Sequence, residues 1–199
     1  MILSATGIIL AGGRSNRFGT NKALALWQGK RLIEGVLEVM RSIFPTVLVA
    51  VKRTDDYRFL EAPGIRLVQD LTDEHHPLGG IYSGLVHAGT EYAFVTACDM
   101  PLLQPGLVEA LWGICDGCQA AVPIWGGIPQ PLCGFYATSC SEILAGMIEA
   151  ERLSIQDLLG DIRVRFLEEA TVSAIDPQGL SFVDIDTADD YLRVLAMRD

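Results

Sequence analysis

No aspartate or glutamate occurs before Glu34, and no lysine or arginine occurs between Leu67 and Glu151. No apolar run approaches the roughly 20 residues that a membrane-spanning helix requires. The first ten residues carry no basic start and lead into a glycine turn, so the opening does not read as a signal peptide. Only 20% of residues are charged while 50% are hydrophobic, which excludes a disordered chain or a coiled coil. The five cysteines are odd in number and scattered, which speaks against a disulfide framework and for a reducing, cytoplasmic setting. At 199 residues the chain suits one domain, spanning 1–199. A domain of that size buries roughly 70% of its unfolded surface and needs no staple.

The net charge of −10 argues against nucleic acid or an anionic membrane as partner. Its distribution is more informative. Arg14, Arg17, Lys22, Lys30 and Arg31 give the segment 1–33 a charge of +5, so the rest of the chain carries −15. The positive segment is placed for a small anion, and the acidic middle leaves room for a cation.

Thr6 to Leu10 reads as a buried strand, short, apolar and stopped by glycine. A loop rich in Gly, Ser, Asn and Thr follows to Lys22. Leu32, Ile33, Val36, Leu37, Met40 and Ile43 recur at helical spacing, and Pro45 ends that helix. Strands are expected at 46–51, 65–68 and 92–98, with helices opening at Pro77 and Pro105. Further strands are expected at 119–124 and 128–136 around Gly126-Gly127, helices at 139–150 and 154–159, a strand at 182–186 and a last helix from Thr187. Alternating strands and helices indicate a doubly wound α/β sheet, whose ligands sit beyond the carboxyl ends of the strands. Gly13, Asp70 and Asp99 fall at such ends.

The stretch from Leu10 to Lys22, LAGGRSNRFGTNK, bears the most chemistry. Gly12 and Gly13 let the backbone turn sharply after a strand and offer N–H groups to an anion. Arg17 and Lys22 add charge that compensates phosphates. It is neither a Walker A loop, since Gly19 and Lys22 are not adjacent, nor a G-x-G-x-x-G fingerprint. Asp99, after a strand and before Pro101, is the best single metal candidate, because a hard cation takes one or two carboxylates plus phosphates. Asp184 and Asp186 would share one face of a strand.

This stretch resembles the signature of the MobA-type molybdenum cofactor guanylyltransferases, of the nucleotidyltransferase family. The resemblance continues through Asp70, Pro77-Leu-Gly-Gly80, Cys98-Asp-Met-Pro101, Gln130-Pro-Leu132 and Phe182-Val-Asp-Ile-Asp-Thr187. It implies a three-layer Rossmann-like nucleotidyltransferase fold with a mostly parallel central sheet. It also implies a reaction in which the terminal phosphate of molybdopterin, with or without molybdenum, attacks the α-phosphate of GTP and releases pyrophosphate. By resemblance, the nucleotide-binding positions are Leu10, Ala11, Gly12, Gly13, Lys22, Asp70, Leu78, Gly79, Gly80 and Asp99. Arg17, Lys22 and Asp99 are the catalytic positions, and Asp99 with Asp186 holds Mg²⁺ or Mn²⁺. Molybdenum-insertion and GTP-binding accessory proteins are implied as partners.

The chain departs from the family pattern at Ala50, where relatives carry an asparagine, at Phe18, which replaces a methionine, and at Asp184 and Asp186, which replace two asparagines. The alternatives are a cytidylyltransferase, another small-metabolite nucleotidyltransferase of this fold, or a non-catalytic nucleotide-binding regulator. Retention of Arg17, Lys22, Asp99 and Asp186 weighs against the regulator. Cys115 and Cys118, a lone C-x-x-C, read as packing thiols rather than a zinc or redox pair. His75 and His76 read as loop residues rather than ligands. The tryptophans read as packing residues, with Trp125 able to line the pterin side.

Overall fold

The computed structural model describes residues 2–12, 22–27, 29–72 and 76–185. Strand β1, Thr6–Leu10, lies inside the sheet. Strand β4, Thr46–Val51, pairs parallel with it on one side and is followed outward by β5, Ile65–Gln69. On the other side of β1 lies β6, Tyr92–Ala97, again parallel. Beyond β6 come β9, Cys133–Ala137, then β7, Ala120–Trp125, and at the edge β10, Val164–Leu167. Strand β9 is antiparallel to both neighbours, β10 is parallel to β7, and the short β8, Ile128–Pro129, folds back on β7. A separate hairpin joins β2, Leu26–Trp27, to β3, Lys30–Arg31. The sheet is thus mostly parallel, as expected.

The parallel strands are apolar runs because both faces are covered. Helix α1, Leu32–Ile43, turns Leu32, Ile33, Val36, Leu37, Met40 and Ile43 into the core, the face its 3.6-residue spacing dictates. Glu34 accepts the Arg31 N–H at 2.7 Å at its start, and the chain leaves helical geometry at Phe44, before Pro45. Phe44, Phe94 and Phe135 meet as one aromatic group in the core, with centroids between 5.0 Å and 6.1 Å apart, the separation at which rings attract through offset and edge contacts. Helix α2, Pro77–His87, packs on β1 unusually closely, because a Cβ at Gly84 would lie 2.7 Å from the methyls of Ile8. Helices α3, Pro105–Trp112, α4, Cys140–Glu149, α5, Ile155–Asp161, and α6, Glu169–Ile175, complete the described α-helices, and 3₁₀ helices span Lys22–Leu24, Thr54–Leu60 and Leu180–Phe182.

Several expectations need correction. The strand read over 128–136 is broken at Pro129-Gln-Pro131 into β8 and β9, since proline cannot donate to a ladder. Gly126 and Gly127, both at positive φ (60° and 73°), form the two-residue β7–β8 turn, the conformation such hairpin turns demand. Where a strand is read from Phe182, the described residues form a 3₁₀ turn over Leu180–Phe182, with Val183 extended and no strand over 183–185. Strand β10 and helix α6 have no counterpart in the sequence reading. The helix expected from Thr187 lies outside the described residues. No helix among those described is long and apolar enough to cross a membrane.

The close approach of α2 to β1 has a measurable consequence. Gly84→Ala drives a methyl into Ile8 and is expected to destabilise by about 1–3 kcal/mol in urea unfolding. Adding Ile8→Val, which trims the opposing side chain, recovers part of that loss. A double variant no more stable than Gly84→Ala would show that the glycine serves something other than this contact.

Candidate functional site

The register β5–β4–β1–β6 brings the carboxyl ends of four strands level, with Leu10 opposite both Ala50 and Ala97 and Ala50 opposite Val68. The ladder continues one step past the strands. Ala11 N–H donates to Ala50 O, Asp70 N–H to Val51 O and Cys98 N–H to Leu10 O, at 2.8 to 3.1 Å. Chain order reverses at β1, with β4 to one side and β6 to the other, which is where doubly wound sheets take ligands.

Two polar clusters stand on this edge. The first lies on the β4–β5 side. Asp70, whose side chain is 4% exposed, pairs through Oδ2 with Lys52 Nζ at 2.9 Å. Its Oδ1 accepts the N–H and hydroxyl of Thr72 at 3.0 and 2.9 Å. Lys52 Nζ also donates to Thr72 O at 2.7 Å. The stem of Lys52 runs beside Gly12, since a Cβ there would be 3.6 Å from its Cγ. Ser83 Oγ of α2 accepts Leu71 N–H at 2.8 Å and donates to Gly79 O at 2.7 Å, tying the helix to this turn. A Cβ at Gly79 would fall on Thr72 Oγ1 and Asp70 Oδ1, so only glycine lets the helix start reach the carboxylate. His76 is the N-cap of α2, its Nδ1 accepting Gly79 N–H at 3.1 Å, which makes Nδ1 the unprotonated nitrogen. Tyr57 O–H donates to Ala11 O at 3.0 Å and pins the start of the glycine loop.

The second cluster lies on the β6 side. Lys22 Nζ donates to Asp99 Oδ2 at 2.6 Å, joining residues 77 positions apart. The pair is mostly buried, Lys22 being 12% and Asp99 20% exposed. Asp99 Oδ1 is buried and accepts no hydrogen bond among the described residues. Ile185 N–H donates to Asp99 O at 3.1 Å and brings the exposed Asp184 to the same edge. Burial pushes the adjacent Cys98 thiol far above its ordinary range, the charge of Asp99 pushes it further, and that of Asp184 adds to this, since a low dielectric and neighbouring anions both disfavour a thiolate. Cys98 is therefore a neutral packing thiol.

Of the positions singled out in the sequence, Leu10, Ala11, Gly12, Asp70, Leu78, Gly79 and Gly80 surround the first cluster, and Lys22 and Asp99 form the second. Leu78 turns its side chain wholly into the core, and Gly80 lies beneath Leu10. Gly13, Arg17, His75 and Asp186 lie outside the described residues. Sequence reasoning missed Lys52, Tyr57, Thr72 and Ser83. Lys52 follows its strand as Asp70 follows the next, so the strand-end rule could have found it.

A hard cation fits the second cluster. The Oδ1 of Asp99, buried and unbonded among the described residues, calls for a donor or a cation, and Asp184 stands next to the residue that bonds the Asp99 backbone. No group of three His, Cys, Asp or Glu side chains is placed to hold a metal among the described residues. The C-x-x-C thiols are not candidates. Cys115 and Cys118 are buried and donate to the carbonyls of Leu111 and Cys115 at 3.3 and 3.0 Å. Burial raises both, Cys115 to about 12.

Residues 7–165 match the family model of the MobA-like NTP transferase domain. The chain is similar to the molybdenum cofactor guanylyltransferase of Desulfosudis oleivorans, 35% identical over 189 residues that cover 94% of this chain and 92% of that one. Its fold is similar to that of molybdopterin-guanine dinucleotide biosynthesis protein A from Archaeoglobus fulgidus, with a TM-score of 0.82 at 26% identity, covering 98% and 100% of the two chains. The 2-C-methyl-D-erythritol 4-phosphate cytidylyltransferase of Thermus thermophilus shares the fold at a TM-score of 0.73 and 17% identity, covering 98% of each chain.

Lys52→Met is expected to cost about 1–3 kcal/mol in urea unfolding, because it strips the buried Asp70 of its cation. The pair should couple. Lys52→Met combined with Asp70→Asn should cost less than the two single changes added together. Strict additivity would mean that the ion pair contributes nothing to the fold.

Proposed function

This chain belongs to the MobA-like NTP transferase family, and we propose that it transfers GMP from GTP to the terminal phosphate of molybdopterin. The bond formed is a phosphoanhydride between that phosphate and the α-phosphorus of GTP; the bond broken joins the α- and β-phosphates, and pyrophosphate leaves. The names of the relatives support the guanylyl donor and the cofactor acceptor. The observation that carries the chemistry is the Lys22–Asp99 pair with its unbonded carboxylate oxygen at the strand ends. In this reading residues 1–199 act as one domain.

Phosphoryl transfer of this kind is positioning and charge neutralisation, and requires no covalent enzyme intermediate. Ala11 and Gly12 present backbone to the nucleotide, held by Tyr57 and backed by Lys52. Asp70 spends its carboxylate on Lys52 and Thr72, so its part is to fix the turn under which α2 begins, with Gly79 and Gly80 bringing that helix start to the nucleotide. Lys22 and Arg17 offset the charge of the triphosphate. Asp99 and Asp186 would hold the divalent cation, Mg²⁺ or Mn²⁺. Bound there, the cation would neutralise phosphate charge as a Lewis acid. In the resting site Lys22 occupies one oxygen of Asp99, keeping a buried carboxylate compensated until phosphates draw the lysine away.

The test is pyrophosphate release with GTP, cation and molybdopterin. Lys22→Ala should lower turnover by roughly 10²–10³ in a folded protein, the scale expected for removing one charge stabiliser. Asp99→Asn should abolish cation-dependent transfer while nucleotide binding without cation persists. Ligand-induced thermal stabilisation should single out GTP among the four nucleotides, because only a ligand that binds the native state raises its melting temperature. Preference for CTP would favour the cytidylyl alternative, and pyrophosphate release without acceptor would refute the transfer.

A further inference from the structure

Asp176 is a charged residue in a place that tolerates charge poorly. It is 2% exposed, at the end of α6, far in sequence from Lys22 and Asp99. Such burial is costly unless the carboxylate is fully hydrogen-bonded. Here both oxygens are bonded, among the described residues by backbone alone. Its Oδ1 accepts Leu180 N–H at 2.9 Å and its Oδ2 accepts Ser181 N–H at 2.8 Å. Its own carbonyl accepts Gly179 N–H at 3.0 Å, and its N–H closes on Val172 O at 2.8 Å. The carboxylate therefore winds residues 180–182 into a 3₁₀ turn, which takes in Phe182, the first residue of the strand that alternation predicts.

That turn is clasped to the chain segment bearing Asp99. Ser181, wholly buried, accepts Gln104 N–H on its Oγ at 3.0 Å, and four residues on Ile185 N–H donates to Asp99 O. Between these two bonds the segment packs its own small core. Leu32, Leu102 and Ile185 cluster apart from the main core, with Ala25, Leu180 and Val183 against them. Leu102 belongs to the connection after Asp99, and Ala25 follows Lys22. The chain at 180–185 thus touches both flanks of the Lys22–Asp99 pair. Phe182 extends the clasp by stacking on Trp125 of β7 at 5.7 Å.

We propose that Asp176 is a positioning residue for the cation site. By gripping the N–H groups of Leu180 and Ser181, it sets the segment that fixes the backbone of Asp99 and delivers Asp184 beside it. Its effect passes through Ser181, Gln104 and Ile185. The inference rests on the reading of Asp99 as a cation ligand, and deepens it.

The experiment measures binding, not turnover. A GTP analogue with a carbon bridge between its α- and β-phosphates is titrated calorimetrically into wild type, Asp176→Asn and Ser181→Ala at a series of Mn²⁺ concentrations. The amide of the Asp176→Asn variant keeps one acceptor and turns an NH₂ group toward the second N–H. Asp176→Asn should raise the Mn²⁺ concentration for half of the affinity gain by roughly 10–100-fold, the scale for groups that orient metal ligands. Affinity without cation, which reports the glycine loop and α2, should stay at the wild-type value. Ser181→Ala, which opens one clasp and keeps the turn, should shift the Mn²⁺ dependence in the same direction by less, and it carries the test if Asp176→Asn does not fold. Mn²⁺ curves of folded variants that superimpose on wild type would overturn the inference alone. Equal losses with and without cation would overturn it too, since they mark general loosening. A wild type whose affinity ignores Mn²⁺ would remove both the inference and the cation site beneath it.

Discussion

The level register of β5, β4, β1 and β6 is the constraint from which the rest of the site follows. A parallel ladder offers no freedom once Leu10, Ala50, Val68 and Ala97 are matched, because a one-residue slip would turn every buried side chain to the opposite face. The first residues past each strand must then share one edge: Ala11 and Gly12, Lys52, Asp70, and Cys98 with Asp99. These residues are polar or small because they end the buried ladders, and chemistry collects there because only there do backbone groups and charges stand together outside the core.

Electrostatics then decides how the edge is divided. A buried carboxylate needs a cation or several donors. Asp70 has both, so it is a fastening for the β5–α2 turn. Asp99 has one lysine on one oxygen and nothing described on the other, which is why the proposed cation site falls on it. Two aspartates that look alike in the sequence, each ending a strand, thereby take different parts. The run without Lys or Arg from Leu67 to Glu151 acquires meaning in this light. Among the described residues, the two cations that pair with these carboxylates, Lys22 and Lys52, come from earlier in the chain, and the sequence around Asp99 supplies none of its own.

What was legible in the sequence was whatever a single segment encodes. The apolar runs of β1 and β4, the spacing of α1, and the prolines at the starts of α2 and α3 each specify their element without help, and the glycine loop carries its family signature openly. What was not legible depends on partners. Strand β10 is half-exposed and carries Arg165, so it looks like a loop until β7 is beside it. Residues 182–186 alternate as a strand should, yet the chain enters them from a 3₁₀ turn, because Leu180 and Ser181 give their N–H groups to a carboxylate. Lys52 carries no motif of its own, while Ala50, two residues earlier and conspicuous as a departure from the family, is small and buried. Asp176 has no motif either, and only its burial reveals it.

The division of the sheet into a parallel and an antiparallel half explains why Asp99 needs support from so far away. In the parallel half, a strand end leads into a helix that covers it, as β5 leads through its turn into α2, and the site on that side is closed by local chain. Beyond β6 the next strand, β9, runs the other way, with Cys133 opposite Thr96. It begins at the active edge rather than ending there, and supplies no helix start to cover Asp99. Segments from the beginning and end of the chain fill that side instead: Lys22 from one direction, Ile185 from the other. Such long-range contacts cost loop-closure entropy and are held by few bonds each. A buried, doubly bonded carboxylate at the base of the C-terminal segment therefore does for the β6 side what a crossover helix does for the other.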